Sequence, residues 1–186
     1  MPAPPTTPTS AADHGRGHEA LEGPVRATVA LEPSDRTRLG LPPVSGTAIE
    51  PAALPPLDEG QWADPEVVAA RFVLVRTHYR ADDDPAALRV RSSPYVVPRL
   101  LGELASSSGG QAGLAQAQDR HAVFVGDVVG LATSERSDNR SVVDLSVRRS
   151  TALRGTVSSA QVSFWRVTLV REPASGHWQV AGLELS

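Results

Sequence analysis

From Asp64 onward the apolar positions of the chain repeat with two different periods, one after the other. Asp64-Pro65-Glu66 supplies an N-cap, a proline at the first helical position and an acid in the first turn. Val68, Phe72, Val75 and Tyr79 then follow at spacings of four, three and four, flanked by Val67, Leu74 and His78. This pattern predicts a helix that ends near Arg80, before the acidic turn Asp82-Asp83-Asp84-Pro85. A shorter helix is predicted from about Pro98 to Ser106, with Leu100, Leu101 and Leu104 as its buried face. Proline is excluded from a helix interior, so Ser93-Pro94-Tyr95-Val96 reads as a turn leading into it. The small, polar stretch 106–118 reads as a flexible loop.

From His121 the period drops to two. AVFVGDVVGLAT (122–133) predicts a first strand, and SERSDNRS (134–141) a polar hairpin loop. In 142–153, Val143, Leu145 and Val147 alternate with Asp144, Ser146 and Arg148. AQVSFWRVTLVR (160–171) alternates on both faces, as a central strand would. EPASG (172–176) turns the chain into the last strand, 177–185. Short turns between successive strands mean an antiparallel meander. Helices followed by four antiparallel strands make an α+β layout. Trp165 and Trp178 are expected to be buried on the last two strands, as cross-strand or diagonal neighbours.

Composition divides the chain near Trp62. Residues 1–61 hold most of the 16 prolines and few large side chains, so burial there cannot offset ordering entropy. They are expected to form a largely disordered, Pro-rich tail and linker, at least to about residue 24, with residues 62–186 as the folded domain. PVRATVALEP (24–33) has the pattern of a short strand or docked extended segment. The net charge of −3 gives no general attraction to nucleic acid or an anionic membrane. Cysteine is absent, which excludes disulfides, thiol nucleophiles and thiolate metal sites. No apolar run is long enough to span a bilayer, and the N-terminus lacks a signal-peptide pattern. All 18 basic residues are Arg, in keeping with codon choice in a GC-rich bacterial genome.

The order of elements resembles the nuclear transport factor 2-like cone, a cystatin-like α+β fold. DPEVVAARFVLVRTHYR, SSPYVVPRLLGELAS and FWRVTLVREPASGHWQVAGLEL are similar to the extracytoplasmic scaffold domains of conjugation and type IV secretion systems. The resemblance covers roughly residues 62–186. It implies N-terminal helices packed on a bent four-stranded antiparallel sheet, and a non-catalytic scaffold domain whose partners are proteins, as a homo-oligomer or assembly component. Those scaffolds carry a transmembrane helix ahead of the folded domain, and this sequence shows none. The expected location is therefore extracytoplasmic if an anchor has been trimmed, and cytoplasmic if the chain is complete.

Asp127 is the residue with the most chemical interest. On simple alternation it shares a face with Val123, Val125, Val129 and Leu131, where a desolvated carboxylate can serve as a general base. A bulge at Gly126 or Gly130 would instead turn it outward, exposed or satisfied by local backbone. Tyr79 or Tyr95 could donate to an oxyanion with His78 as base, but tyrosines so placed are ordinarily core residues and a helix-terminal histidine ordinarily meets the dipole. His121 and His177 start strands and are expected to be solvated. His14 and His18 are four apart, with no further ligand to complete a metal site. Asp82-Asp83-Asp84 lacks the spacing of a calcium loop and reads as a solvated turn. Arg148, Arg149, Arg154, Arg166 and Arg171 read as edge protection and surface charge.

Three functions follow. The first is a scaffold domain with no catalytic residues, cofactor or metal. The second is a small-molecule-binding or isomerase/cyclase-like enzyme of the same fold, with Asp127 as pocket acid. The third is a soluble accessory protein that binds a partner.

Overall fold

The computed structural model describes residues 28–42, 50, 53–106 and 117–185. The disorder expected at the start of the chain, the His14 and His18 pair, and most of the loop expected at 106–118 lie outside the described residues. Within them the elements run β1 (Val29–Ala30), α1 (Pro33–Arg38), α2 (Glu59–Trp62), α3 (Pro65–Thr77), β2 (Tyr79–Arg80), α4 (Pro85–Ser92), a 3-10 turn (Ser93–Tyr95) and α5 (Pro98–Ser106). The long strands follow: β3 (Ala122–Arg136), β4 (Arg140–Leu153), β5 (Thr156–Arg171) and β6 (Trp178–Leu185).

α3 is the central helix. Asp64 caps it by accepting from the Glu66 amide, with Pro65 in the first turn. Nearly every residue from Pro65 to Val75 is buried, so α3 is covered on all sides and lies within the core. It packs on β3, β4, β5 and β6. The helix stops at Thr77, three residues before the expected end. His78 turns extended, and Tyr79 and Arg80 pair antiparallel with Phe124 and Val123. A ladder on the sheet edge thus replaces the last helical turn. α4 was not expected. Asp84 and Pro85 start it with the same cap and proline that start α3, and the Asp84 side chain accepts from the Ala86 amide. The 3-10 turn sits where a turn was expected, and Val97 ties it to the sheet by donating to the Val180 carbonyl.

The sheet is antiparallel, in the order β1-β3-β4-β5-β6, with β2 on the β3 edge. It therefore has six strands among the described residues, four long and two very short, where four were expected. Each two-residue strand closes part of the β3 edge. The β3–β4 connection is also tighter than expected, because β3 continues to Arg136, paired with Ser141, and β4 begins at Arg140. β5 begins at Thr156, four residues before the alternation became clear. Trp165 and Trp178 are both buried but are not neighbours. Trp165 lies opposite Leu185 and Trp178 opposite Arg171, at the two ends of the β5–β6 ladder.

The N-terminal segment also departs from expectation. Val29 and Ala30 pair with Leu131 and Gly130, as a docked extended segment should. Beyond them, Leu39 and Leu57 lie in the core although the tail was expected to extend to residue 61. One close approach fixes how α3 meets the sheet. A Cβ at Gly126 would come within 1.9 Å of Thr77 Oγ1. We expect Gly126→Ala to cost about 1–3 kcal/mol, the range for forced overpacking, read as a lower denaturant midpoint at unchanged slope.

Candidate functional site

The sheet has two unlike faces, and the register shows which residues occupy each. Val128 and Val147 face each other fully buried, and Gly126 abuts Thr77, so this face meets the helices. Asp127 is opposite Arg148 and belongs to the other face. The ladder shifts by one residue between Val128 and Gly130, which is the bulge that the glycines suggested. The bulge separates Asp127 from Leu131, which packs in the core.

Asp127 is neither solvated nor satisfied by local backbone. Its side chain is 19% exposed and each carboxylate oxygen is held by a guanidinium. Arg36 Nη2 of α1 donates to Oδ1 at 2.8 Å, and Arg148 Nη2 of β4 donates to Oδ2 at 2.8 Å. Arg36 also donates to the carbonyls of Val128 (3.0 Å) and Pro42 (2.7 Å). A general base needs a lone pair aimed at a substrate, and here both oxygens are engaged by cations. The arrangement is an ionic clamp that fastens α1 to the middle of the sheet.

The same face holds a second pair. Asp144 is 1% exposed and accepts from Arg166 Nε at 2.8 Å, which holds the guanidinium charged and raises its pKa. Strict alternation places Asp144 in solvent, and Arg166 was read as surface charge; the carboxylate is instead buried because its counterion lies directly opposite on β5. Thr28 and Ser146 join their hydroxyls nearby.

The other candidates lie elsewhere. His78 is buried, and its Nε2 is 2.6 Å from the Gly126 carbonyl, so that nitrogen carries the proton and donates to the sheet. Tyr79 stacks on Phe124 at 4.6 Å, with the Arg149 guanidinium 5.7 Å from the same ring. Tyr95 is buried beside Trp62, with ring centroids 5.2 Å apart. His177 is not simply solvated: it stacks on Trp62 at 5.5 Å and its Nε2 lies 2.8 Å from Glu59. Asp127, His78, Tyr79 and Tyr95 therefore do not converge on one cavity. Among the described residues, no group of three or more acidic or histidine side chains is placed to hold a metal ion.

Sequence reading missed the residue most deeply involved, Arg71. It lies in α3, is 1% exposed, and donates to the carbonyls of Pro55 (2.6 Å) and Gly40 (3.2 Å). Burial disfavours its charged form and lowers its pKa, a shift that Tyr95 partly offsets. A signal was present: Arg71 is the lone charge in VVAARFVLV, on a helix too apolar to leave any side free. A cleft of about 880 Å³ lies beside this junction, between α1 and residues 53–55; Arg36 is its one charged lining residue among those described.

No family model and no curated protein sequence matches the chain. Its fold is similar to that of an IcmL-like type IV secretion system protein from Legionella pneumophila. The TM-score is 0.55 at 9% identity, over 71% of this chain and 94% of that one. It is also similar to the periplasmic domain of DotI, with a TM-score of 0.50 at 11% identity, over 64% of this chain and 90% of the domain. The fold is thus the one that the resemblance to secretion scaffolds implied.

Two outcomes follow. Arg71→Leu leaves the Gly40 and Pro55 carbonyls without their donor and should cost about 1–3 kcal/mol. Hydrogen exchange should quicken at residues 39–41 and 57–62 before it does in β3–β6. Burial raises the Tyr95 pKa above the ordinary tyrosine value, against the opposing effect of Arg71. The stability linked to this group is therefore fully present below about pH 10 and lost as pH rises through the folded-state value. Absorbance titration of the parent should show phenolate formation above the ordinary tyrosine range, and Tyr95→Phe should remove it.

Proposed function

We propose that this chain is a non-catalytic protein-interaction domain of nuclear transport factor 2-like fold. Its role is that of an assembly component in a conjugation or type IV secretion-type apparatus, on the extracytoplasmic side of the membrane. The observation that carries this reading is coverage: the fold matches 94% of a protein named as part of a type IV secretion system and 90% of a domain named as periplasmic. The charged groups point the same way. Asp127 and Asp144 are used by guanidiniums, and His78 by the sheet backbone, so each works as a fastening. No helix among the described residues is long and apolar enough to cross a membrane.

Deleting the chain in its native cells should reduce transfer through the apparatus by at least a hundredfold. The full chain should restore it, and so should Asp127→Asn, Tyr79→Phe and Tyr95→Phe, each to within about twofold at matched protein level. Unchanged transfer after deletion would overturn the reading. A well-folded Tyr→Phe variant that failed to complement would favour the enzyme.

A further inference from the structure

Three side chains of β4 are buried on the side of the sheet that faces away from α3. Val142, Asp144, Ser146 and Arg148 stand in a row on this outer face, opposite Thr168, Arg166, Phe164 and Val162 of β5. Val142, Asp144 and Ser146 are buried, and Val142 lies outside the hydrophobic core. Arg148, the next along, has a side chain 41% exposed. The cover is therefore confined to the Val142 end of the row. Thr28 shows where it comes from. Its hydroxyl joins that of Ser146, and a Cβ on Gly130 would come within 3.1 Å of the Thr28 Cβ. Gly130 and Ser146 are paired on β3 and β4, so Thr28 stands over the face of the sheet above them. Strands two apart lie about 9.6 Å from each other, farther than bonded threonine and serine side chains span. The chain at Thr28 has thus left the β3 edge and moved across toward β4. Its heading follows from β1, whose Ala30 and Val29 pair with Gly130 and Leu131. Traced back toward the N-terminus, the chain runs the way β3 runs, toward Ala132, and so along β4 toward Asp144 and Val142. Burial on β4 extends in that same direction.

We infer that the occupant of this surface is the chain's own segment 24–27, which continues the path of Thr28 as an extended strap over Asp144 and Val142. The chain has 27 residues ahead of Thr28, and the last four are Pro24, Val25, Arg26 and Ala27. A strap that crosses a sheet face joins no ladder, so a proline in it gives up no hydrogen bond. Alternate side chains of an extended chain share a face, so Arg26 turns toward the sheet with Thr28. It comes over the row of Asp144, Arg166 and Glu184, which are paired across β4, β5 and β6. That row holds two carboxylates and one guanidinium, and Arg26 supplies the second positive charge. Pro24, two residues farther back, comes over Val142 and sets apolar surface on apolar surface. The inference concerns the chain alone and does not depend on the assembly reading.

The test uses the full chain, which has no cysteine of its own, so introduced thiols report position. Pro24→Cys combined with Val142→Cys should form a disulfide within one chain on mild oxidation. Pro24→Cys combined with Val162→Cys should not, because Val162 is 54% exposed and lies on the far side of Thr28 from the strap. A single thiol at Thr168→Cys, opposite Val142, should react with a thiol reagent at a rate that is independent of protein concentration. Adding Arg26→Glu, which sets a third carboxylate over the acidic row, should speed that reaction at least fivefold while leaving the circular dichroism unchanged. No cross-link to Val142, an equal one to Val162, or a Thr168→Cys rate indifferent to Arg26→Glu would overturn the inference. Cross-links between chains, or protection of Thr168→Cys that grows with protein concentration, would also overturn it and assign the cover to a second copy.

Discussion

The arrangement of the whole molecule depends on how an arginine meets a proline-rich strand of chain. Pro42 and Pro55 offer carbonyl oxygens but no amide hydrogen, since proline has none to give. Such positions cannot donate to a sheet ladder or a helix. A guanidinium carries five donors in a rigid fork and suits a backbone richer in acceptors. Arg71 reaches Gly40 and Pro55 from inside α3, and Arg36 reaches Pro42 and Val128 from α1 while pairing with Asp127. Leu39 and Leu57, each within two residues of a carbonyl so answered, lie in the core.

Much of this fold was legible along the chain, and the places where reading failed have particular causes. The Asp64-Pro65 cap, the α3 stripe and the period-two strands each depend on neighbours within a few residues, and local pattern records such neighbours well. β1 and β2 are two-residue strands whose partners lie on β3, so nothing local marks them. α4 carried a local signal in Asp84-Pro85, and the acid run in front of it drew attention to charge and away from capping. The tail was judged on composition, which reports average burial and cannot see two leucines placed singly.

The candidate chemistry was misread for a related reason. Alternation assigns a face to each strand residue but not a counterion. Asp127 and Asp144 each depend on an arginine that is distant in sequence, and only register brings the charges together. Arg148 and Arg166, set aside as surface charge, are those partners. In this protein the basic residues of the sheet are internal fasteners as much as solvated ones, and a buried carboxylate is a weak guide to catalysis where every such group has a guanidinium beside it.

The contacts of the N-terminal segment span very different lengths of chain from those of the meander. β3 to β6 follow one another through short turns, so their ladders close small loops and can form early. Arg36 and Asp127 are 91 residues apart, and Thr28 and Ser146 are 118. Closing those distances has a late place in the order of folding, once a sheet exists to receive the strap. By the same reasoning, the strap can lift from an intact sheet, a partial opening of far smaller cost than unfolding. The protein thus joins a sheet of local contacts to a remote fastening at residues 28–42, the part whose opening disturbs the fewest ladders.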